Sequence, residues 1–128
     1  MKTYKVTVDH KGTIYWYNEK DQRHCEHGPA IEFADGTKFW YINNQLHRED
    51  GPAIERANGS KEWYINDKQH REDGPAVEYA DGRKEWYING KLLTEQEFIK
   101  RTQPVVELTM QDIETLVGKR VKIVKNKS

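Results

Sequence analysis

The segment GPAIEFADGTKFWYINNQLHRED (residues 28–50) recurs with few changes as GPAIERANGSKEWYINDKQHRED (51–73) and GPAVEYADGRKEWYINGKLLTEQ (74–96). Each copy begins 23 residues after the one before it, at Gly28, Gly51 and Gly74. A strict period of this length is typical of repeat proteins, in which each unit buries its apolar face only against its neighbours. The sequence therefore predicts a repeat array and not a single globular core.

Two turn signals recur in every unit. The first, Asp-Gly or Asn-Gly, tolerates positive φ angles and is typical of tight β-hairpins. The second is Asn followed by Asn, Asp or Gly, and a Gly-Pro pair then marks the start or edge of the next strand, because proline lacks an N–H. The turns are predicted at residues 35–36, 58–59 and 81–82 and at residues 43–44, 66–67 and 89–90. We therefore predict a mainly β fold, an antiparallel β-hairpin array that forms a single layer or a solenoid-like meander.

Side chains between the two turns alternate as in a strand, with Trp40 and Ile42 on one side and Phe39 and Tyr41 on the other. Stacking at a fixed period would align equivalent side chains in columns. We predict that a tryptophan column and an aliphatic column form the core, since each aromatic side chain buries on the order of 150–250 Å². The predicted core residues are Trp16, Trp40, Trp63, Trp86, Ile31, Ile54 and Val77.

The two ends of the chain depart from the repeat. Residues 1–93 are predicted to form the array, with a degenerate first unit and three repeats at 4–27, 28–50, 51–73 and 74–93. Capping boxes at Thr94–Glu97 and Thr109–Asp112 predict two helices, the first over residues 95–102, and Val121–Val124 reads as a last strand. Residues 94–128 are therefore predicted to be a helix-helix-strand cap, which we expect to pack around Trp86 and Leu92.

Composition narrows the possible settings. Of 128 residues, 35% are hydrophobic and 33% charged, and 21 basic residues balance 21 acidic ones. No net field would therefore draw the chain to nucleic acid or to an anionic membrane. There is no apolar run long enough to span a membrane, and the lone Cys25 can form no internal disulfide. We expect a cytoplasmic protein.

Candidate chemistry is sparse. The equally spaced His24, His47 and His70 would suit a metal only if the sheet brought them together, and no HxxxH or CxxC motif accompanies them. Serine-histidine-aspartate, paired-carboxylate and phosphate-loop signatures do not stand out. We therefore predict a protein that is not an enzyme and that uses neither a metal nor a cofactor.

The HRED segments and the tyrosine column have a structural and a functional interpretation. In the first, HRED forms a ladder of ionic and hydrogen-bonded turn residues. In the second, exposed aromatic residues beside arginine form a binding surface, as in interaction hot spots. The candidate binding residues are Tyr41, Tyr64, Tyr87, His47, Arg48, His70 and Arg71.

Over about residues 24–93 the unit resembles a repeat in small proteins of tailed bacteriophages and some bacteria, and is more distantly similar to the MORN-like repeats of the antitoxin-component family. The resemblance is carried by Gly51-Pro52-Ala53, Asn58-Gly59 and Trp63-Tyr64-Ile65-Asn66. Residues 107–124 also resemble a carboxyl-terminal segment of phage proteins. The resemblance implies a β-hairpin scaffold in a bacterial or phage-infected cell, and no catalytic residue belongs to the pattern.

Two functions follow as hypotheses. The first is a protein-binding module, a phage-encoded or antitoxin-like inhibitor that occludes a host or competing factor. The alternative is a protein that binds or sequesters a nucleotide or sugar between its aromatic columns. We expect a protein partner, no membrane association and no nucleic acid; self-association into a homo-oligomer stays open.

Overall fold

A computed structural model of the protein describes residues 2–103 and 107–117. The strand predicted at 121–124 lies outside the described residues. The elements are β1 (Lys5–Val8), β2 (Ile14–Tyr17), β3 (Ile31–Glu32), β4 (Lys38–Phe39), β5 (Tyr41–Ile42), β6 (Gln45–Leu46), β7 (Ile54–Glu55), β8 (Lys61–Glu62), β9 (Tyr64–Ile65), β10 (Lys68–Gln69), β11 (Val77–Glu78), β12 (Lys84–Ile88), β13 (Lys91–Leu93), α1 (Glu95–Thr102) and α2 (Met110–Val117).

The strands form an antiparallel meander. A nine-stranded sheet has the order β1-β2-β3-β4-β7-β8-β11-β12-β13, and β5-β6 and β9-β10 form two separate two-stranded sheets. Each of the first two full repeats thus contributes a central hairpin to the large sheet and a lateral hairpin beside it. In the third repeat β12 is continuous and serves both hairpins. The predicted β-hairpin array is confirmed.

The two turn signals produce two different turns. In the central hairpin Gly36 N–H donates to Phe33 O at 3.0 Å, and Gly36 has a φ of 94°, as in a type I turn followed by a glycine bulge. In the lateral hairpin Asn43 and Asn44 have φ angles of 47° and 70°, the signature of a type I′ turn. The degenerate first unit has a longer lateral loop in which Asp21 takes the positive φ, of 59°.

The centre of the core is aliphatic. Ile31, Ile54 and Val77 are buried, whereas the four tryptophans are half-buried. The alanine before each aliphatic residue is fully buried, and its carbonyl accepts the N–H of the preceding repeat's tryptophan; Ala53 O accepts from Trp40 at 2.7 Å. The aliphatic column therefore lies where successive repeats are joined.

Polar side chains also join the repeats. Thr37 Oγ1 accepts the N–H of Ala57 at 3.1 Å, and Ser60 Oγ, one repeat later, accepts the N–H of Ala80 at 3.0 Å. Across the large sheet, glutamates and lysines alternate in directly opposed pairs. Opposite charges in such pairs stabilise a sheet by roughly 0.2–1 kcal/mol each. The row runs Glu32, Lys38, Glu55, Lys61, Glu78, Lys84.

Helix α1 closes the array at its carboxyl end. It spans the predicted residues, and its capping box is formed, with Glu97 N–H donating to Thr94 Oγ1. Phe98 packs with Ile88 and Leu93, and Trp86 lies against this cluster. The expected contact through Leu92 was wrong: Leu92 is 57% exposed, because the strand register places Leu93 opposite Trp86.

Helix α2 contributes little buried surface. It begins at Met110 after the second predicted box, in which Asp112 N–H donates to Thr109 Oγ1. Leu116 is 68% exposed, and Val117 is also exposed. Within the described residues, the carboxyl end is therefore closed by α1.

We predict that Phe98→Ala strongly destabilises the closed end, whereas Ile99→Ala does not. Phe98 is 3% exposed and its helix neighbour Ile99 is 43% exposed. Truncating a buried phenylalanine costs about 3–5 kcal/mol. Hydrogen exchange of the β12 and β13 amides measures the effect, and equal exchange in the two variants would contradict the assignment of Phe98 to the core.

Candidate binding face

One face of the array is built by the segments that lead from each lateral hairpin to the next central hairpin. These are residues 24–29, 47–52 and 70–75, which we call the HRED face. The preceding lateral turn, type I′ in the full repeats and a longer loop in the first unit, reverses the chain, and the Gly-Pro pair directs it back into the large sheet. Equivalent positions are therefore presented at each step of the period, with Cys25 and His27 in place of the later arginine and aspartate.

The histidines of this face link one repeat to the next. His47 Nδ1 accepts the N–H of Asn66, the first residue of the following type I′ turn, at 3.0 Å. His24 and His70 accept from Asn43 and Asn89 at 3.0 and 2.9 Å. Because Nδ1 accepts a hydrogen bond, the proton of the neutral imidazole lies on Nε2. His47 Nε2 lies 3.5 Å from Glu49 Oε1. The histidine column therefore connects repeats.

The arginines and tryptophans form a second repeated unit. Arg48 Cζ lies 4.0 Å from the centroid of the Trp40 ring, a cation–π geometry. Its Nε donates to Asp50 Oδ1 at 2.9 Å and its Nη1 to Pro52 O at 3.1 Å. Hydrogen bonding to Arg48 lowers the pKa of Asp50. Arg71 repeats this arrangement on Trp63, with Asp73 and Pro75.

The glycine of each Gly-Pro pair makes room for the guanidinium. A Cβ added at Gly51 would lie 3.0 Å from Arg48 Cζ, and one at Gly74 would lie 2.9 Å from Arg71 Cζ. Around a Cβ added at Gly28 no atom lies within 4 Å, because Cys25 occupies the position that arginine has in the later repeats.

Two open grooves lie between successive segments. The first, of about 770 Å³, lies between residues 25–29 and 47–50 and includes Trp40 and Ile42. The second, of about 410 Å³, lies between Arg48 and residues 70–73 and includes Trp63 and Ile65. Carboxylates project at their rims, with exposed side-chain fractions of 83 and 88% for Glu49 and Asp50, and 77 and 85% for the equivalent acids of the next repeat. The grooves therefore combine aromatic and aliphatic walls with acidic rims.

The tyrosine column lies outside these grooves. Tyr41, Tyr64 and Tyr87 are half-buried, and burial, followed by nearby Glu62, raises the pKa of Tyr64. Arg23 Cζ lies 5.8 Å from the Tyr41 ring. The candidate binding residues thus separate into the histidines and arginines, which have partners within the chain, and the tyrosines, which lie elsewhere.

Sequence reasoning missed one row of contacts that differs between repeats. The pairs at equivalent positions are Phe33 with Phe39, Arg56 with Glu62, and Tyr79 with Glu85. Arg56 Nη2 lies 2.8 Å from Glu62 Oε2. Part of the signal was present in the sequence, because both members change between the first two of these pairs and the first member changes again in the third, where the rest of the unit is kept.

Comparison with protein-family models, curated proteins and solved structures found no match to the chain. The resemblance to phage and MORN-like repeats therefore stays a prediction. Over residues 2–103 and 107–117, no helix has the length and apolarity required to cross a bilayer.

We predict that Gly51→Ala destabilises the array and Gly28→Ala does not. The new methyl group at position 51 must push the Arg48 guanidinium by a few tenths of an ångström, which weakens its cation–π contact and hydrogen bonds by up to about 1 kcal/mol. Gly28 has open space and a φ outside the left-handed region, so alanine there should be neutral or slightly stabilising. Chemical denaturation measures both variants, and equal effects would show that the guanidinium does not require this space.

We also predict that His47 is an Nε2–H tautomer and that His47→Leu costs about 0.5–1.5 kcal/mol, because the exposed Asn66 N–H exchanges its acceptor for water. Long-range proton–nitrogen NMR reads the tautomer directly. His10, exposed in a turn, provides the control, and His10→Leu should change stability by less than about 0.5 kcal/mol. A protonated Nδ1 in His47 would disprove the proposed link between repeats.

Proposed function

We propose that this protein is a non-enzymatic protein-binding module whose HRED face binds a basic segment of a partner. The observation that carries the proposal is the periodic row of exposed carboxylates at the rims of grooves walled by tryptophan and isoleucine. Buried aromatic anchors surrounded by polar rims are the usual anatomy of a protein interface.

The charges of the face favour a cationic partner. Arg48 is held by Trp40, Asp50 and Glu55, the last at 3.4 Å, so its charge is compensated within the chain. Glu49 is 83% exposed, and among the described residues its carboxylate pairs with the Nε2–H of His47, which is neutral, at 3.5 Å. The outward charge of the face is therefore negative, although the whole chain is neutral.

The period of the array sets the spacing of the partner's basic residues. Each repeat adds two strands to the large sheet, and strands lie about 4.8 Å apart, so equivalent groups of successive repeats are about 10 Å apart. A polyproline II segment rises about 3.1 Å per residue and has three residues per turn, so every third side chain lies on the same side, about 9 Å apart. Basic side chains at every third position of such a segment would therefore meet successive repeats.

Capture of a small ligand is the second candidate. The groove volumes of about 410 and 770 Å³ suit a sugar or nucleotide. The acidic rims, however, oppose the phosphates of a nucleotide, which leaves a sugar as the better form of this alternative. A thermal-shift screen with sugars and nucleotides tests it.

The resemblance of the repeat to those of phage and antitoxin-component proteins leads us to propose a biological role for this binding. A phage-encoded or antitoxin-like inhibitor would act by covering a basic surface of a host or competing factor. A rigid repeat scaffold suits occlusion, because its surface is presented without reorganisation.

Titration calorimetry with two peptides of identical composition tests the proposal. One has arginine at every third position, separated by glycine and serine, and the other has the arginines adjacent. We expect the spaced peptide to bind more tightly and both to weaken as salt rises. Equal affinities would contradict the spacing argument, and absence of binding by either peptide would overturn the proposed function.

Charge-reversal variants test whether the spaced peptide binds at the HRED face. Glu49→Lys combined with Glu72→Lys should weaken the spaced peptide at least ten-fold by replacing attraction with repulsion. Glu107→Lys with Glu114→Lys changes net charge by the same amount at exposed positions outside the repeats and should leave affinity within about two-fold. Equal losses would show that only net charge matters.

A further inference from the structure

The four tryptophans of the array differ in what covers them. Trp40 and Trp63 carry the guanidinium groups of Arg48 and Arg71. Trp86 packs against the cluster that contains Phe98. Over residues 2–103 and 107–117, no cation or aromatic ring stacks on Trp16.

The uncovered ring lies in a place that keeps most of the arginine's partners. In the next repeat Arg48 uses the carbonyl of Pro52 and the carboxylate of Glu55. Their equivalents in the first unit are Pro29 and Glu32, and the described residues offer neither Pro29 O nor the Glu32 carboxylate a hydrogen bond or ion pair. Trp16, Pro29 and Glu32 line a cavity of about 320 Å³.

One partner of the later repeats is changed. His27 stands where the next repeat has Asp50, so a guanidinium here would lose one carboxylate. Glu26, at the edge of the cavity, is occupied by Lys2 at 3.3 Å and is therefore not counted among the partners. The cavity retains the aromatic face, the carbonyl and one carboxylate.

We propose that this cavity, which we call the Trp16 slot, binds the guanidinium of an arginine side chain supplied by a partner protein. Both filled copies of the site in this chain hold a guanidinium 3.9–4.0 Å from the indole centroid, where it donates to the proline carbonyl and pairs with the glutamate carboxylate at 3.4 and 3.6 Å. A lysine ammonium cannot reproduce the planar stack and the two directed N–H donors together. The identity of the arginine's owner rests on the proposed function, but the chemistry of the slot does not.

NMR titration of the full chain with N-acetyl-arginine methylamide tests the slot, observed at the Trp16 indole N–H. N-acetyl-citrulline methylamide has the same shape without the charge and is the matched probe. We expect saturable shifts with a dissociation constant of about millimolar for the arginine probe and at least ten-fold weaker binding of the citrulline probe. Equal responses to the two probes, or none, would overturn the proposal.

Variants locate the binding. Cys25→Arg with His27→Asp restores the sequence of the later repeats, and its own arginine should fill the slot, abolish the probe response and raise the melting temperature. Cys25→Ser leaves the slot open and should bind as the natural chain does. Glu32→Gln should weaken binding about ten-fold. If the filled variant does not fold, Glu32→Gln decides, and unchanged affinity in it would refute the site.

The outcomes separate the two proposals. Probe binding at Trp16 without binding of the spaced peptide would support the slot and remove the proposed function. If the spaced peptide binds the natural chain and the Cys25→Arg with His27→Asp variant equally well, the HRED face is supported and the slot is not part of it.

Discussion

The hydrogen bond from the Asn66 N–H to His47 Nδ1, with its equivalents in the other repeats, is the contact on which the lateral part of the array depends. A type I′ turn exposes backbone N–H groups that have no partner within the hairpin. A neutral imidazole of the preceding repeat supplies the acceptor, and this orients both the turn and the histidine. The next residue, Arg48, is thereby held beside Trp40, which lies between β4 and β5. The same hydrogen bond therefore links successive repeats and positions the arginine of the HRED face.

The two ends show what an array of this kind requires. At the carboxyl end there is no further turn to hold, and Leu93 replaces histidine and packs with Phe98. At the amino end His24 still has a following turn to bind and is kept, at 3.0 Å from Asn43 N. The arginine, by contrast, is absent from both ends. A helix covers the last tryptophan, whereas the first is uncovered. The two ends of the array therefore differ, which gives the array a direction.

Local features were predictable and contacts between repeats were not. The period, both turns and the span of α1 follow from glycine, asparagine and capping-box signals that act within a few residues. The acceptor role of His47 and the stacking of Arg48 on Trp40 depend on how one repeat lies against another, which propensities do not encode. The same reason explains the misplaced Leu92: its burial depended on a strand register, and a shift of one residue moves a side chain to the other face.

The net charge of the chain is zero, but the fold distributes the charges unevenly over the surface. Glutamate and lysine alternate and cancel along the large sheet, and Arg48 and Arg71 are compensated by the aspartates beside them. What projects from the HRED face is therefore acidic, and both grooves have a tryptophan and an isoleucine in the wall and the same acids at the rim, although their volumes differ. These shared features alone would allow a basic segment to bind in several registers, displaced by one repeat at a time. An end site that accepts only a guanidinium would remove this degeneracy, because a single register places an arginine on Trp16. The difference between the first unit and its successors then becomes the feature that gives a periodic surface a defined starting point.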